Sequence, residues 1–200
     1  HGSKPVVFPH INPNGPTMPV KSICVYCGSR NGAQPAYADA AVLLGQAIAE
    51  EGWRLVYGAG DVGLMGEVAR AAQKAGGDTF GVIPKHLVDL EVGKTDLTRY
   101  VVTETMHERK KVMIMNADAV VVLPGGAGSL DELFEALTWR QLGLHDKPIL
   151  VLSADGYWRP LRDLITHIID QGFADESLAD FITWVDTPTT AIDALRVALS

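Results

Sequence analysis

The chain has 200 residues, of which 47% are hydrophobic and 20% charged, and its formal net charge is −7 at pH 7. This length and an ordinary apolar fraction fit one globular domain and exclude intrinsic disorder. An acidic chain without a basic cluster is a poor candidate for binding nucleic acid or a membrane surface. Glycine is the one unusual component, because it supplies 20 of the 200 residues, against about 7% on average.

Residues 1–18 are rich in Pro, Asn and Gly and start with HGS, which is typical of a tag remnant. We therefore expect a disordered leader over 1–18 and a single domain over 19–200. No apolar run approaches the roughly 18 residues of a membrane span, and no secretory leader is evident. Cys24 and Cys27 form a lone C-x-x-C without further ligands at zinc spacing, so we expect reduced structural thiols, no metal site and a cytoplasmic protein.

Short apolar runs that suit buried strands alternate with longer segments of helical periodicity. The predicted elements in chain order are strand 22–26, helix 35–51, strand 54–57, helix 66–74, strands 79–83 and 100–102, helix 104–116, strand 119–123, helix 128–142, strand 148–152, helix 157–171, strand 181–185 and a helix from 188. Only the polar stretch 89–97 has no clear pattern. The alternation predicts an α/β fold, a doubly wound Rossmann-like parallel sheet with helices on both faces, whose ligands bind at the carboxyl ends of the strands.

Three glycine clusters directly follow predicted strands: 28–29 (GS), 58–66 (GAGDVGLMG) and 124–129 (PGGAGS). Glycine at a strand-to-helix turn lets main-chain N–H groups face an anion, and the following helix N-terminus adds partial positive charge. The alternative is that tight turns use glycine for geometry alone. We expect a phosphate site, and its candidate binding residues are Gly28, Ser29, Gly60, Gly125, Gly126, Ala127, Gly128 and Ser129.

The spacing of Gly58, Gly60 and Gly63 matches G-x-G-x-x-G, which is a weak signal by itself. The dinucleotide fingerprint belongs after the first strand, whereas this segment follows the second, although Asp78 lies at a passable distance. A Walker loop is excluded because no Gly-Lys-Ser/Thr follows. The pattern favours a mononucleotide or sugar phosphate over NAD, with no cofactor.

Two further motifs add charged side chains. Ser129 and Glu132 have the S-x-x-E spacing of a capping box, but a carboxylate there could instead point past a bound phosphate to its sugar. Glu135, one turn later, could support Glu132 or face solvent.

In the segment 106–113, Met106, Arg109, Lys110 and Met113 share one helical face. Its cations could hold an anion, or form a solvated row with Glu108 and Lys111 paired.

The segment 124–132 (PGGAGSLDE) resembles the LONELY GUY family, often labelled "lysine decarboxylase-like", whose signature is P-G-G-x-G-T-x-x-E. Ser129 replaces the threonine and keeps its hydroxyl. Ala59 replaces a glycine common in the family, and Lys94 stands where plant members have a substrate-contacting Glu. Further similar segments, within a match from about 21 to 195, are 27–29 (CGS), 57–60 (YGAG), 63–66 (GLMG), 81–84 (GVIP), 106–110 (MHERK) and 139–143 (WRQLG).

The resemblance implies a phosphoribohydrolase that cleaves the N-glycosidic bond of cytokinin riboside 5′-monophosphates, that is, N6-substituted AMP. It implies Arg109 and Glu132 as catalytic residues, with Met106, Lys110 and Thr138 among the substrate contacts. It also implies a homodimer, with Arg109 contributing across chains. The alternatives are a general nucleosidase for AMP and other nucleotide 5′-monophosphates, which would share every residue, and a non-catalytic nucleotide carrier, which would need neither Arg109 nor Glu132.

Overall fold

The computed structural model describes residues 19–200, and over this range the predicted α/β alternation is confirmed. The expected leader, 1–18, lies outside the described residues. The strands are β1 (Ser22–Tyr26), β2 (Arg54–Tyr57), β3 (Asp78–Pro84), β4 (Arg99–Thr103), β5 (Ala119–Val122), β6 (Ile149–Leu152) and β7 (Ile182–Val185). The helices are α1 (Pro35–Glu50), α2 (Gly63–Lys74), α3 (Met106–Met115), α4 (Ala127–Gln141), α5 (Arg159–Asp170), α6 (Ser177–Asp180) and α7 (Pro188–Ala198).

All seven strands form one parallel sheet in the order β4-β3-β2-β1-β5-β6-β7. The chain starts at β1, moves outward to β4, and then returns to β5 on the other side of β1. Ile23 of β1 is therefore paired with both Leu55 of β2 and Ala119 of β5. The connections leaving β1 and β5 diverge, which opens a crevice at the carboxyl ends of these two strands.

Alternate residues of each strand face opposite layers of helices, as the pleat requires. In β1, Ile23 and Val25 pack with α1, α2 and α7, whereas Cys24 and Tyr26 pack with α3, α4, α5 and α6. The central strands are buried on both sides, which explains their continuous apolar sequences. No helix within residues 19–200 is long and apolar enough to span a membrane.

Several boundaries differ from those predicted. Helix α2 begins at Gly63 rather than residue 66. Gly63 has φ +56°, and a Cβ there would lie 2.2 Å from the main-chain N of Arg30. Helix α3 begins after Thr105, whose side chain accepts a hydrogen bond from the N–H of Glu108, while the Glu108 carboxylate accepts one from the N–H of Thr105. Glu108 is thus a capping residue and not the predicted partner of Lys111, and the one-turn helix α6 was not predicted.

Helices α1 and α2 approach closely at Gly45, and this contact gives a first prediction. A Cβ on Gly45 would lie 2.2 Å from the carbonyl oxygen of Val68. Alanine favours a helix by about 1 kcal/mol over glycine, but here the overlap with main chain outweighs that gain. We expect Gly45→Ala to destabilise the protein by about 2 kcal/mol in urea unfolding. Leu43→Ala, on the exposed side of α1, is the control, and an equal effect of both would contradict the argument.

Candidate active site

A cavity of about 560 Å³ opens where the connections after β1 and β5 diverge. This volume lies within the range of small-molecule sites in proteins. Its walls are the segment 27–33 after β1, the segment 124–129 after β5, Gly58 after β2, and side chains from α3 and α4. The predicted placement of the site at the carboxyl ends of the strands agrees with this geometry.

The loop after β5 leads directly into the N-terminus of α4, and both face the cavity. Gly126 is the N-cap of α4, and no side chain caps this helix end. Gly126, Ala127 and Gly128 are exposed in the cavity, so the first N–H groups of the helix are available to a ligand. Because these groups carry the positive end of the helix dipole, the site suits a phosphate or another anion.

Two glycines allow the loops after β1 and β5 to meet. The N–H of Gly28 donates to the carbonyl of Pro124 at 3.0 Å. A Cβ on Gly125 would lie 2.0 Å from Oγ of Ser129 and 3.0 Å from the N of Gly28. At these positions glycine serves geometry, whereas at Gly126 and Gly128 a Cβ would meet no protein atom within 4 Å. The sequence left two reasons open for these glycines, tight chain geometry and the exposure of N–H groups to an anion. The first applies to Gly125 and the second suits Gly126 and Gly128.

The capping-box alternative for Ser129 and Glu132 is excluded, because α4 begins at Ala127 and Ser129 is already its third residue. Glu132 lies in the second turn, half-buried in the cavity wall. Burial raises the pKa of its carboxyl to about 8, the nearby Arg109 partly opposes this shift, and Glu91 adds to it. In the free protein Glu132 therefore keeps its proton through much of the neutral range.

Arg109 is buried on α3 and is held by three hydrogen bonds. Its Nε donates to the carbonyl of Val82 at 3.0 Å, and its Nη2 donates to the carbonyl of Gly58 at 2.6 Å and to Oε2 of Glu91 at 2.7 Å. A Cβ on Gly58 would lie 2.3 Å from Nη2, so Arg109 can keep this position only while residue 58 is glycine. Nη1 has no hydrogen-bond partner among residues 19–200, which leaves it as the nitrogen of Arg109 free to donate to a ligand.

Glu91 is a charged residue of the cavity wall that was not identified from the sequence. It belongs to the polar stretch 89–97, whose irregular turns carry no periodic signal, and it lines the cavity beside Arg109. Lys94 belongs to the same stretch and stands at the position where plant members of the family have a substrate-contacting Glu. It does not line the cavity. Its ammonium is buried and paired with Asp96 at 3.0 Å.

The predicted site residues separate into two groups. Gly28, Ser29, Met106, Arg109, the segment 125–129 and Glu132 line the cavity together. Gly60, Lys110 and Thr138 do not. Gly60 forms a β-bridge with Gly93, and the exposed Thr138 lies in a separate shallow groove along α4.

Lys110 is buried and points to α4 rather than to the cavity. Its Nζ lies 3.0 Å from Asp131 Oδ2 and 2.8 Å from Glu135 Oε2, which satisfies the ammonium and joins α3 to α4. The sequence left two roles open for Glu135, support of Glu132 or exposure to solvent. The structure shows a third role, an ion pair with Lys110. The predicted common face of Arg109 and Lys110 exists, but their charged ends diverge.

Aromatic and thiol groups complete the cavity wall. Tyr37 and Tyr157 pack edge to face, with ring centroids 5.3 Å apart, and the Tyr157 hydroxyl donates to the carbonyl of Gly125 at 2.5 Å. Neither tyrosine was predicted, because each follows a loop whose course is set by tertiary contacts.

The Cys27 thiol is buried beneath the cavity, and burial raises its pKa, which makes it a poor nucleophile. Residues 19–200 contain no cluster of three His, Cys, Asp or Glu side chains suited to a metal ion.

A doubly wound sheet with an open helix N-terminus, a buried arginine and a titratable carboxyl at one crevice defines an α/β protein suited to an anionic small molecule. Comparison with known proteins identifies the family. A family profile described as "Possible lysine decarboxylase" matches residues 65–195. The cytokinin riboside 5′-monophosphate phosphoribohydrolase LOG of Oryza sativa subsp. japonica is 44% identical over 169 residues, which cover 84% of this chain and 69% of that protein. The chain belongs to this LONELY GUY family, as the resemblance implied.

Other comparisons agree with that assignment. A cytokinin riboside 5′-monophosphate phosphoribohydrolase of Arabidopsis thaliana is 45% identical over 153 residues, 76% of this chain and 70% of its own length. Among solved structures, the molybdenum cofactor binding protein of Rippkaea orientalis has a TM-score of 0.70 at 25% identity, over 92% of this chain and all of that one. The Moco carrier protein of Chlamydomonas reinhardtii shares the fold, with a TM-score of 0.69 at 22% identity over 90% of this chain and 98% of that one.

The two kinds of glycine in the loop after β5 can be separated by substitution. We expect Gly125→Ala to lower stability by about 1–3 kcal/mol, because its Cβ overlaps Ser129. We expect Gly128→Ala to leave stability unchanged or slightly raised, but to weaken AMP binding at least about tenfold, since its methyl group would stand among the N–H groups that face the phosphate. Thermal unfolding and calorimetric titration with AMP measure both effects.

Adenosine, which lacks the phosphate, is the control ligand for this comparison. Its binding should be weak to wild type and insensitive to Gly128→Ala. AMP binding by Gly128→Ala at wild-type strength would mean that these glycines serve chain geometry alone.

Proposed function

We propose that this protein hydrolyses the N-glycosidic bond of cytokinin riboside 5′-monophosphates, giving the free base and ribose 5-phosphate. The observation that carries the proposal is the convergence of three groups on one cavity: the open N-terminus of α4, the guanidinium of Arg109 and the carboxyl of Glu132. The activity named for the curated relatives supports the choice of reaction and substrate.

The phosphate of the nucleotide would bind at the loop after β5. Gly126, Ala127 and Gly128 present main-chain N–H groups to the cavity, and Ser129 follows them with its hydroxyl. A dianionic phosphate there gains both hydrogen bonds and the favourable field of the helix. With the phosphate at the helix N-terminus, Glu132, one turn further along α4, stands beside the position of the attached ribose.

Cleavage of the bond between C1′ and the base nitrogen builds positive charge on the ribose ring, as in other glycoside hydrolyses. The ionised Glu132 would stabilise this charge and accept a proton from the attacking water. The water oxygen forms the new bond to C1′, and the bonding electron pair leaves with the base. The proton that Glu132 takes from the water then passes to the base, directly or through solvent, which returns Glu132 to its ionised form. A purine leaves more readily than an alkoxide, so one carboxylate suffices where O-glycosidases use two.

Arg109 would fix the nucleotide through Nη1 and polarise the leaving base. Its other nitrogens are already held by Val82, Gly58 and Glu91, so the guanidinium is preorganised before the substrate arrives. The resemblance implied that Arg109 contributes across chains. In this structure Arg109 lines the cavity of its own chain.

Other activities of the fold have less support. A decarboxylase that uses pyridoxal phosphate needs a Schiff-base lysine, and no lysine lines the cavity within residues 19–200. A carrier, as the names of the structural neighbours suggest, would bind a ligand without needing the pair of Arg109 and Glu132. A general AMP nucleosidase would use the same residues with a wider tolerance for the base.

We also propose that the protein is a homodimer located in the cytoplasm. The dimer would use the shallow groove along α4, where Leu130, Phe134 and Trp139 present partly buried apolar surface. This groove shares Ala127 with the cavity, so a subunit seated there would lie next to the substrate.

The reaction is tested by incubating the protein with isopentenyl-AMP and with AMP and measuring the free base by chromatography. We expect release of base from isopentenyl-AMP. We expect a loss of at least about 100-fold in kcat for Glu132→Gln, which keeps the shape but not the charge. Asp163→Asn, on the exposed surface of α5, is the matched control and should retain wild-type kcat.

Each outcome of this experiment selects one function. Equal turnover of AMP and isopentenyl-AMP would indicate the general nucleosidase, and tight binding without release of base would indicate the carrier. Turnover that survives Glu132→Gln would overturn the role given to Glu132.

The pH dependence of the reaction follows from the raised pKa of Glu132. Only its ionised form can stabilise positive charge, so kcat/KM should rise about tenfold per pH unit below the pKa of about 8 and level off above it. The second ionisation of the substrate phosphate falls near pH 6, low enough for the two effects to be separated. Activity that peaks near pH 5 and declines above it would mean that the protonated Glu132 acts as an acid instead.

A further inference from the structure

The turn that carries Glu91, here residues 87–94, is fixed to the loop after β2. The N–H of Asp61 donates to the carbonyls of Glu91 and Val92 at 3.0 and 2.9 Å. The N–H of Lys94 donates to the carbonyl of Ala59 at 2.8 Å. The turn therefore contacts a loop about thirty residues earlier in the chain. The same loop contains Gly58, whose carbonyl accepts a hydrogen bond from Arg109.

This turn holds a backbone conformation that its sequence disfavours. Val92 has φ +49°, in the left-handed region where a β-branched side chain is a clear outlier. Its side chain is exposed, so burial of Val92 does not compensate for the strain. Strained residues persist where the surrounding structure dictates them, and they cluster at functional sites. Val92 immediately follows Glu91, so the strained conformation lies directly beside the residue that pairs with Arg109.

Glu91 and Arg109 form a close and largely buried ion pair. Oε2 of Glu91 lies 2.7 Å from Nη2 of Arg109, and the two side chains are only 17% and 7% exposed. Without Glu91, the guanidinium would keep two main-chain carbonyls as partners but would have no ion-pair partner among residues 19–200. A buried cation that loses its counter-charge is strongly disfavoured and tends to find another.

Glu132 is an alternative anion, since its carboxyl already feels the charge of Arg109. An ion pair between Arg109 and Glu132 would move the guanidinium from its position. It would also compensate the negative charge of Glu132, which the reaction needs to stabilise the ribose cation. Charged or titratable groups near Glu132 are Arg109 and Lys110 on α3, Asp131 on α4, Glu91 on the turn, and Cys24, Tyr26 and Cys27 in and after β1.

We propose that Glu91 is a positioning residue of the hydrolysis, which holds the guanidinium of Arg109 with Nη1 available to the nucleotide and keeps Arg109 from pairing with Glu132. The inference rests on the proposed function. It assigns a role to a side chain that acts through Arg109 rather than on the reacting atoms.

The test uses Glu91→Gln in the full chain with isopentenyl-AMP as substrate. We expect kcat to fall about 10- to 100-fold, because a small displacement of a positioned group has effects of this size, while KM rises by a smaller factor because the phosphate contacts at α4 are unchanged. Loss of the Glu91 charge also lowers the pKa of Glu132, so the rise in kcat/KM with pH should move to lower pH. Asp89→Asn removes an exposed carboxylate two residues away and should change neither quantity.

Glu91→Asp separates charge from position and provides a second variant if Glu91→Gln folds poorly. It keeps the negative charge but shortens the side chain, so kcat should fall while the pH profile stays where it is in wild type. Thermal unfolding shows whether each variant is folded.

The outcomes separate this inference from the proposed function. Inactive wild-type protein would overturn the proposed function itself. Active wild type with an unchanged kcat and pH profile in Glu91→Gln would overturn only the role of Glu91. A large rise in KM at constant kcat would also overturn it, since that result marks a direct substrate contact.

Discussion

The hydrogen bond from Gly28 to the carbonyl of Pro124 joins the two halves of the molecule at the point where the chain reverses its direction across the sheet. On one side of it lie β1 to β4, and on the other lie β5 to β7. Because the loops meet here without side chains between them, the N-terminus of α4 stays open to the cavity instead of being capped. The open helix N-terminus and the placement of Glu132 in the cavity wall both follow from this close approach of two main-chain segments.

Charge in the cavity is arranged by burial as much as by pairing. Desolvation raises the pKa of Glu132, Arg109 opposes this shift in part, and the negative charge of Glu91 adds to it. An acidic protein can thus hold an anionic ligand, because main-chain dipoles and one buried cation act locally while the net charge lies mostly on the surface. Lys110 contributes to the packing of α3 on α4 instead, through its ion pairs with Asp131 and Glu135.

The sequence predicted those parts of the structure that depend on local patterns. The apolar runs at 22–26 and 119–123 became central strands, and the glycine-rich loop after the latter opened a helix, since both signals are set by neighbours in the chain. Glu91 could not be predicted, because its turn is held by Asp61, thirty residues earlier. The ion pairs of Lys110 with α4 could not be predicted either. Helical periodicity identifies the buried face of α3, but it does not identify the residues of α4 that each side chain contacts.

Two of the three hydrogen bonds that hold Arg109 are accepted by main-chain oxygens, those of Val82 and Gly58. Every amino acid supplies such an acceptor, so the side chain at position 82 can change in evolution without removing support from the arginine. Gly58 is constrained by space alone, and the charged contact depends on one side chain in an exposed, irregular turn. Substitutions around the arginine that preserve the path of the main chain should therefore leave its orientation unchanged, so the ligand preference of such a cavity could change without rebuilding the fold.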